Sequence, residues 1–193
     1  PPKWHLAHST WFFEQFVLKE FKKDYQVFDD DFAYLFNSYY NNAGNRILRP
    51  KRGLMTRPTV KEVYEYRKYV TKNVADLLDK NQTEALLESL EIGLNHEQQH
   101  QELLAYDIKY ILGHQPTFPK YEGDFLIQKE THSETFIGIE EGVYEIGYKG
   151  NDFCFDIELG LHKVYIHPFK ISNMLVTNKE YLEFIENGGY QNF

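Results

Sequence analysis

Apolar residues recur through the first 113 positions at intervals of three and four, the signature of helices that bury one face. Trp4, His8, Trp11, Phe12, Phe16 and Leu18 share one side of a first segment, Lys3 to Lys22, whose outer side carries Lys19, Glu20, Lys22 and Lys23. Two prolines ahead of it suit a helix start. Phe32, Leu35, Phe36 and Tyr39 predict a short second helix, with the carboxylates of Asp29 to Asp31 placed to cap it. Pro58-Thr59 opens a third helix to about Leu78, with Val60, Val63, Tyr64, Arg67, Val70, Val74 and Leu77 on its inner side. Thr83 starts the longest helix, marked by Leu86, Leu87, Leu90, Leu94, Leu103, Leu104, Ile108 and Ile111 and ended by Gly113. Short connections between long amphipathic helices imply antiparallel packing in a bundle.

Beyond Pro116 and Pro119 the period changes. Phe136-Ile137-Gly138, Gly142 to Gly147 and His162 to Ile166 are short β-rich bursts separated by Gly and Asn, which predicts strands. Thr177-Asn178-Lys179-Glu180 is a capping box ahead of Tyr181, Leu182, Phe184 and Ile185. The chain is therefore expected to be α+β, with a domain boundary between Gly123 and Thr135. Asn41 to Met55, basic and without periodicity, is expected to be a long ordered loop, and loops of that length are uncommon unless they carry function.

Composition narrows the classes. A length of 193 residues, 42% apolar and 26% charged, suits one globular domain or two small ones. The net charge of -8 counts against a nucleic-acid partner, and the basic residues of Arg46 to Arg57 suit a small anionic ligand better than a phosphate backbone. No apolar stretch reaches the length of a membrane span, and no secretory signal is visible. Cys154 is the sole cysteine, so no internal disulfide forms and a reducing, cytoplasmic setting is the default. It is expected to be a small core residue between Phe153 and Phe155. The start at Pro1 without Met, and an end four residues after Gly188-Gly189, make both termini look like cuts in something longer.

The candidate chemistry lies on the longest helix. His96 and His100 are four apart, so both imidazoles leave one face one turn apart, a chelating spacing. Imidazoles inside an apolar stripe are costly to bury without partners, and a metal ion satisfies both; a hydrogen-bonded histidine pair is the plainer alternative. A third ligand is required. On the first helix His8 falls on the face of Trp4, Trp11, Phe12 and Gln15 and points to the core, whereas His5 is expected at the rim. A three-histidine facial site leaves positions open for substrate and suits Fe, Zn, Ni or Cu without choosing among them. His96-Glu97-Gln98-Gln99-His100 also spells the H-E-x-x-H of zinc proteases, in which the Glu is the general base. Its place in mid-bundle, with the third histidine far upstream, disfavours that reading, and Glu97 and Gln99 are expected to border the site without touching the metal. Asp107, two turns past His100, is a distant second partner at best, and His114, His132, His162 and His167 show no ligand spacing.

Two long motifs add what spacing does not. Lys3-Trp4-His5-Leu6-Ala7-His8-Ser9-Thr10-Trp11-Phe12-Phe13-Glu14 and Gly93-Leu94-Asn95-His96-Glu97-Gln98-Gln99-His100-Gln101-Glu102-Leu103-Leu104 closely resemble the ergothioneine-synthesis sulfoxide synthases. Gly142 to Gly147, Phe153 to Glu158, Val176 to Tyr181 and Gly188-Gly189-Tyr190 resemble the opening of that family's second domain. The resemblance implies a DinB-like antiparallel bundle, residues 1–125, followed by the first part of a formylglycine-generating-enzyme-like domain with a C-type-lectin-like fold, residues 126–193. The family carries a helix ahead of the Pro-Pro-Lys-Trp segment, so the first helix of the bundle is expected to be missing from this chain.

It further implies a mononuclear non-haem iron(II) enzyme, a hercynine oxygenase. Such enzymes use O2 to join the sulfur of γ-glutamylcysteine, or cysteine, to the imidazole C2 of hercynine as a sulfoxide. Carried over, the Fe(2+) ligands are His8, His96 and His100, and Arg49-Pro50-Lys51-Arg52 matches an R-x-x-R clamp in which Arg49 and Arg52 hold the thiol substrate's carboxylates. Arg46 and Arg57 are weaker candidates. The proton-donating tyrosine of the family falls past Phe193, so this polypeptide alone is expected to be inactive. Two other readings stay open: a DinB-type Zn or Ni thiol transferase or hydrolase using the same histidines, and an ovothiol-pathway synthase acting on a different ring carbon. A binding module without catalysis is a third.

Overall fold

The computed structural model describes residues 2–38, 44–121 and 133–192. Tyr39, His132 and the start of the basic loop lie outside the described residues. The chain divides into two compact units, Pro1–Gly123 and Asp124–Phe193.

The first unit is helical. Helix α1 spans Pro2–Phe13 and runs on through a π-helical segment, Glu14–Leu18, into the short α2, Lys19–Phe21. The predicted single helix from Lys3 to Lys22 thus contains one widened turn. Glu14, the first residue of that turn, is fully buried, and Gln15, expected on the core side, is only half-buried. A π-bulge rotates the residues after it relative to those before it, a shift that a fixed 3.6 period does not anticipate.

Short α3, Phe32–Leu35, follows. Its predicted cap is made differently: Asp29 Oδ1 accepts from the Asp31 backbone N–H, and Asp31 itself makes no side-chain cap. The basic loop carries a 3-10 turn, Arg49–Leu54. Helix α4, Val60–Leu78, opens on a complete capping box, with Thr59 Oγ1 accepting from Glu62 N–H and the Glu62 carboxylate accepting from Thr59 N–H. Its inner face is Val63, Tyr66, Val70 and Leu77; Val60 and Tyr64, expected inside, are 54% and 60% exposed. Tyr66 takes the inward place because its hydroxyl donates to the buried Glu14. Helix α5, Glu84–Gly113, buries Leu86, Leu90, Gly93, His96 and His100, while Leu87 and Leu94 face outward. Trp4, Ala7, Trp11, Phe12 and Val17 of the first helical segment meet α4 and α5 residues in one continuous core.

The second unit contains two antiparallel strand pairs and a helix. Strands β1 (Phe136–Ile139) and β4 (Phe169–Ser172) pair from Phe136 opposite Ser172 to Ile139 opposite Phe169. Strands β2 (Gly142–Ile146) and β3 (His162–Ile166) pair from Gly142 opposite Ile166 to Ile146 opposite His162. Helix α6, Asn178–Glu186, starts on the Thr177–Glu180 capping box. Among the described residues, two strand pairs, a three-residue 3-10 turn (Asp156–Glu158) and nine residues of α6 make little interior, and none of them is buried. Cys154, expected in a core, is half-buried beside Phe153 and Phe155, whose rings meet edge to face. Among the described residues no helix is long and apolar enough to cross a membrane.

Candidate metal centre

Helix α1 supplies His5 and His8, and α5 supplies His96 and His100; all four are buried. The four-residue spacing on α5 sends both rings to one side. Helix α1 reaches that side because position 93, a turn before His96, has no side chain. A Cβ there would lie 2.5 Å from Phe13 Cε1 and 3.2 Å from Phe12 Cδ1. One potential ligand nitrogen from each of His8, His96 and His100 lies within 4.8 Å of the other two. Their ring centroids are 4.6 to 4.9 Å apart, each pair close to edge-on.

His8 lies between two indoles, stacked at 4.6 Å on Trp4 and 5.3 Å on Trp11. Its Nδ1 is 2.5 Å from the Phe36 carbonyl oxygen. A carbonyl only accepts, so Nδ1 carries the hydrogen and the Nε2 lone pair faces the other imidazoles. Burial pushes His8 down to about 2, helped by the charge that His96 and His100 would carry. Burial likewise lowers His96 to about 4, against a small opposing pull from Glu97, and His100 to about 3, with His96, His5 and Arg52 adding to the effect. Three neutral imidazoles at physiological pH are the form that binds metal. An all-nitrogen set fits a borderline transition ion, iron(II) included.

His5 is not at the rim. It is 8% exposed, its Nδ1 lies 2.9 Å from His100 Nδ1, and its Nε2 lies 2.9 Å from Asp107 Oδ2. Asp107, set aside on sequence because it is seven residues past His100, reaches the site through His5. Seven residues are nearly two full turns, so Asp107 lies on the histidine face, and the three-residue step from His5 to His8 gives α1 two inward imidazoles.

The histidines open onto a cleft of ≈ 1170 Å³ whose lining includes Arg49, Arg52, Ser38, Gln99, Leu103 and Tyr106. In a 3-10 turn residues three apart eclipse, which explains why Arg49 and Arg52 both reach this one cleft. The Arg52 guanidinium carbon sits 3.7 Å above the Trp4 ring centroid, and its Nη2 donates to Ser38 Oγ at 3.3 Å. Arg46 donates instead to the Ser38 carbonyl at 2.9 Å, and Arg57 to the Thr56 carbonyl.

Glu97 does not border this cleft. It pairs with Arg67 and lines a separate groove of ≈ 1100 Å³ together with Thr10, Phe13, Val70 and Leu94. A zinc-protease general base must approach the metal-bound water, and here the helix turn from 96 to 97 carries the carboxylate to the opposite side of α1. His162 and His167 are exposed in the second unit, and His114 hydrogen-bonds within its own helix end.

Residues 122–192 match the family model of the Sulfatase-modifying factor enzyme 1-like domain. No curated protein matches the chain. The class defined by fold and site is therefore a helical unit with a buried histidine cluster, followed by a segment similar to a sulfatase-modifying factor domain.

Proposed function

We propose that the protein is a mononuclear non-haem iron(II), O2-dependent sulfoxide synthase that joins the sulfur of γ-glutamylcysteine or cysteine to the imidazole C2 of hercynine. The observation that carries this reading is the convergence of His8, His96 and His100 at the floor of a cleft edged by Arg49 and Arg52. The motif resemblance of the first unit and the family match of residues 122–192 point the same way.

His8, His96 and His100 would hold the iron, and the bound metal would supply a single centre at which thiolate, imidazole and O2 meet. The chain's own residues do the rest. Arg49 and Arg52 present planar forks to the carboxylates of the thiol substrate, which fixes where its sulfur lies. Trp4 and Trp11 confine His8 from both sides, and the Phe36 carbonyl keeps its proton on Nδ1. Reactants held in one orientation need no further encounter, which is the main contribution a positioning site makes.

The test is anaerobic loading of the protein in its natural length with Fe(II), followed by hercynine, γ-glutamylcysteine and O2, with mass-spectrometric detection of product. The sulfoxide linked at C2 is expected. Iron-loaded, folded protein that consumes no O2 and forms no C–S bond rejects the proposal, and thiol transfer supported by Zn(II) or Ni(II) would replace it with the transferase reading.

A further inference from the structure

The hydrogen bond between His5 and His100 joins two ring nitrogens of the same type, Nδ1 to Nδ1 at 2.9 Å. Such a bond needs one hydrogen, and with His5 neutral the partner on its far side assigns that hydrogen to one ring. At the far side of His5, Nε2 faces Asp107 Oδ2 at 2.9 Å. An ionised carboxylate only accepts, so Nε2 of His5 must be the N–H. In neutral imidazole the other nitrogen is then the acceptor, and the shared hydrogen belongs to His100 Nδ1. His100 Nε2 is left with its lone pair on the cleft side.

We propose that Asp107 and His5 are positioning residues that hold His100 as its Nδ1–H tautomer, so that Nε2 is presented as a metal ligand. The purpose of the relay rests on the metal reading above; the tautomer assignment does not. Two ligands of the cluster are thereby oriented by different means. His8 is fixed by a main-chain carbonyl, which no side-chain substitution removes, whereas His100 depends on two side chains, one on α1 and one on α5. The relay also ties Asp107, seven residues beyond His100, to the amino end of α1, so the two helices that bring the ligands together are cross-linked beside the ligands themselves. Hydrogen-bond partners of this kind behind a ligating histidine typically alter metal affinity by about 10- to 100-fold.

The test uses ring-15N histidine in the whole metal-free chain and two-bond 1H–15N correlation spectra. Wild type should show His100 in the Nδ1–H form, and His5 in the Nε2–H form. His5→Phe, which keeps a ring against Trp4, and Asp107→Leu should both convert His100 to a mixture of tautomers. In competition with a chelating indicator, the same variants should bind Co(II) about 10- to 100-fold more weakly. An Nε2–H His100 in wild type overturns the relay without recourse to any variant. So does an unchanged His100 tautomer in both variants, or Co(II) affinity within twofold of wild type in folded variants. Failure of the relay is distinguishable from failure of the metal reading. Wild type that retains no metal yet shows Nδ1–H His100 rejects the metal site alone, and wild type that retains metal with Nε2–H His100 rejects the relay alone.

Discussion

Replacing Glu14 tests whether one buried carboxylate sets the roll of the helix that presents His8. Glu14 is fully buried at the start of the π-helical turn and accepts three hydrogen bonds: from Tyr25 Oη at 2.7 Å, Tyr66 Oη at 2.7 Å and the Phe28 backbone N–H at 3.2 Å. Burial, then the adjacent carboxylate, holds both tyrosines well above their ordinary range, so both are donors at any working pH. Glu14→Ala strands three donors, and each orphaned donor costs about 1–3 kcal/mol, offset in part because no carboxylate has to be desolvated. A net loss of about 3–5 kcal/mol is expected, the range for breaking a buried charged network. Glu14→Gln keeps the shape: its amide oxygen still accepts, but its NH2 faces a hydroxyl whose hydrogen then lacks an acceptor. That variant should lose about 1–2 kcal/mol. The assay is urea unfolding followed by tryptophan emission. Both tryptophans of the chain, Trp4 and Trp11, are buried in α1, so the signal reports on the first unit alone. A loss below about 1 kcal/mol for Glu14→Ala would refute the idea that the network anchors α1.

Three further perturbations probe the packing and chemistry of the cleft. Gly93→Ala gains about 1 kcal/mol of helix propensity but places a methyl 2.5 Å from Phe13 Cε1. Overpacking of about 1–3 kcal/mol should prevail, giving lower urea midpoints and weaker Co(II) binding as α1 is pushed from α5; a variant more stable than wild type would contradict the close-approach argument. Acidification should destabilise the metal-free first unit. His8, His96 and His100 stay neutral in the fold down to about 4 or below, while in the unfolded chain each takes up a proton near its ordinary value of 6.5. The unfolded state then binds more protons, so their contribution is fully present above about pH 7 and declines as pH falls from 6.5 to 4. The slope approaches ~4 kcal/mol per pH unit at most, for three protons. Urea midpoints at pH 7 and pH 5 read it directly, and equal midpoints would refute it. Arg49→Ala and Arg52→Ala should each raise KM for the thiol substrate by about 10-fold or more, the loss of a charge-assisted bond, with little change for hercynine; a uniform effect on both substrates would count against the clamp.

Much of the first unit was legible because helical periodicity is a property of the local sequence. The α4 and α5 segments follow from spacing alone, as does the Thr177–Glu180 capping box of the second unit from its cap chemistry, whereas the Thr59–Glu62 box was not read from the sequence. The failures share a cause: a polar side chain found its partner on another element. Tyr66 turned inward to meet Glu14, which displaced the inferred face of α4. Glu14 rather than Gln15 took the interior place, where Tyr25, Tyr66 and the Phe28 N–H, all outside α1, donate to it. His5 was placed at the rim because nothing within α1 shows that Asp107 waits on α5 to receive its N–H. The clue available in advance was periodicity on both helices: His5 lies three residues before His8, and Asp107 seven after His100. The Glu97 carboxylate was misplaced beside the histidines for a related reason, since a hundred-degree step from His96 carries it into the groove where Arg67 lies. In the second unit the strands were readable as short β-rich bursts, but their pairing, β1 with β4 and β2 with β3, depends on long-range register that spacing does not encode.

The proposed function depends first on His8, His96 and His100 holding one metal ion together. Anaerobic Fe(II) titration of wild type beside His8→Ala, His96→Ala and His100→Ala, with bound metal counted after desalting, tests it directly. One equivalent retained by wild type, and none by any of the three folded variants, is the predicted result. Full retention by any one of them, or no retention by wild type, would contradict it.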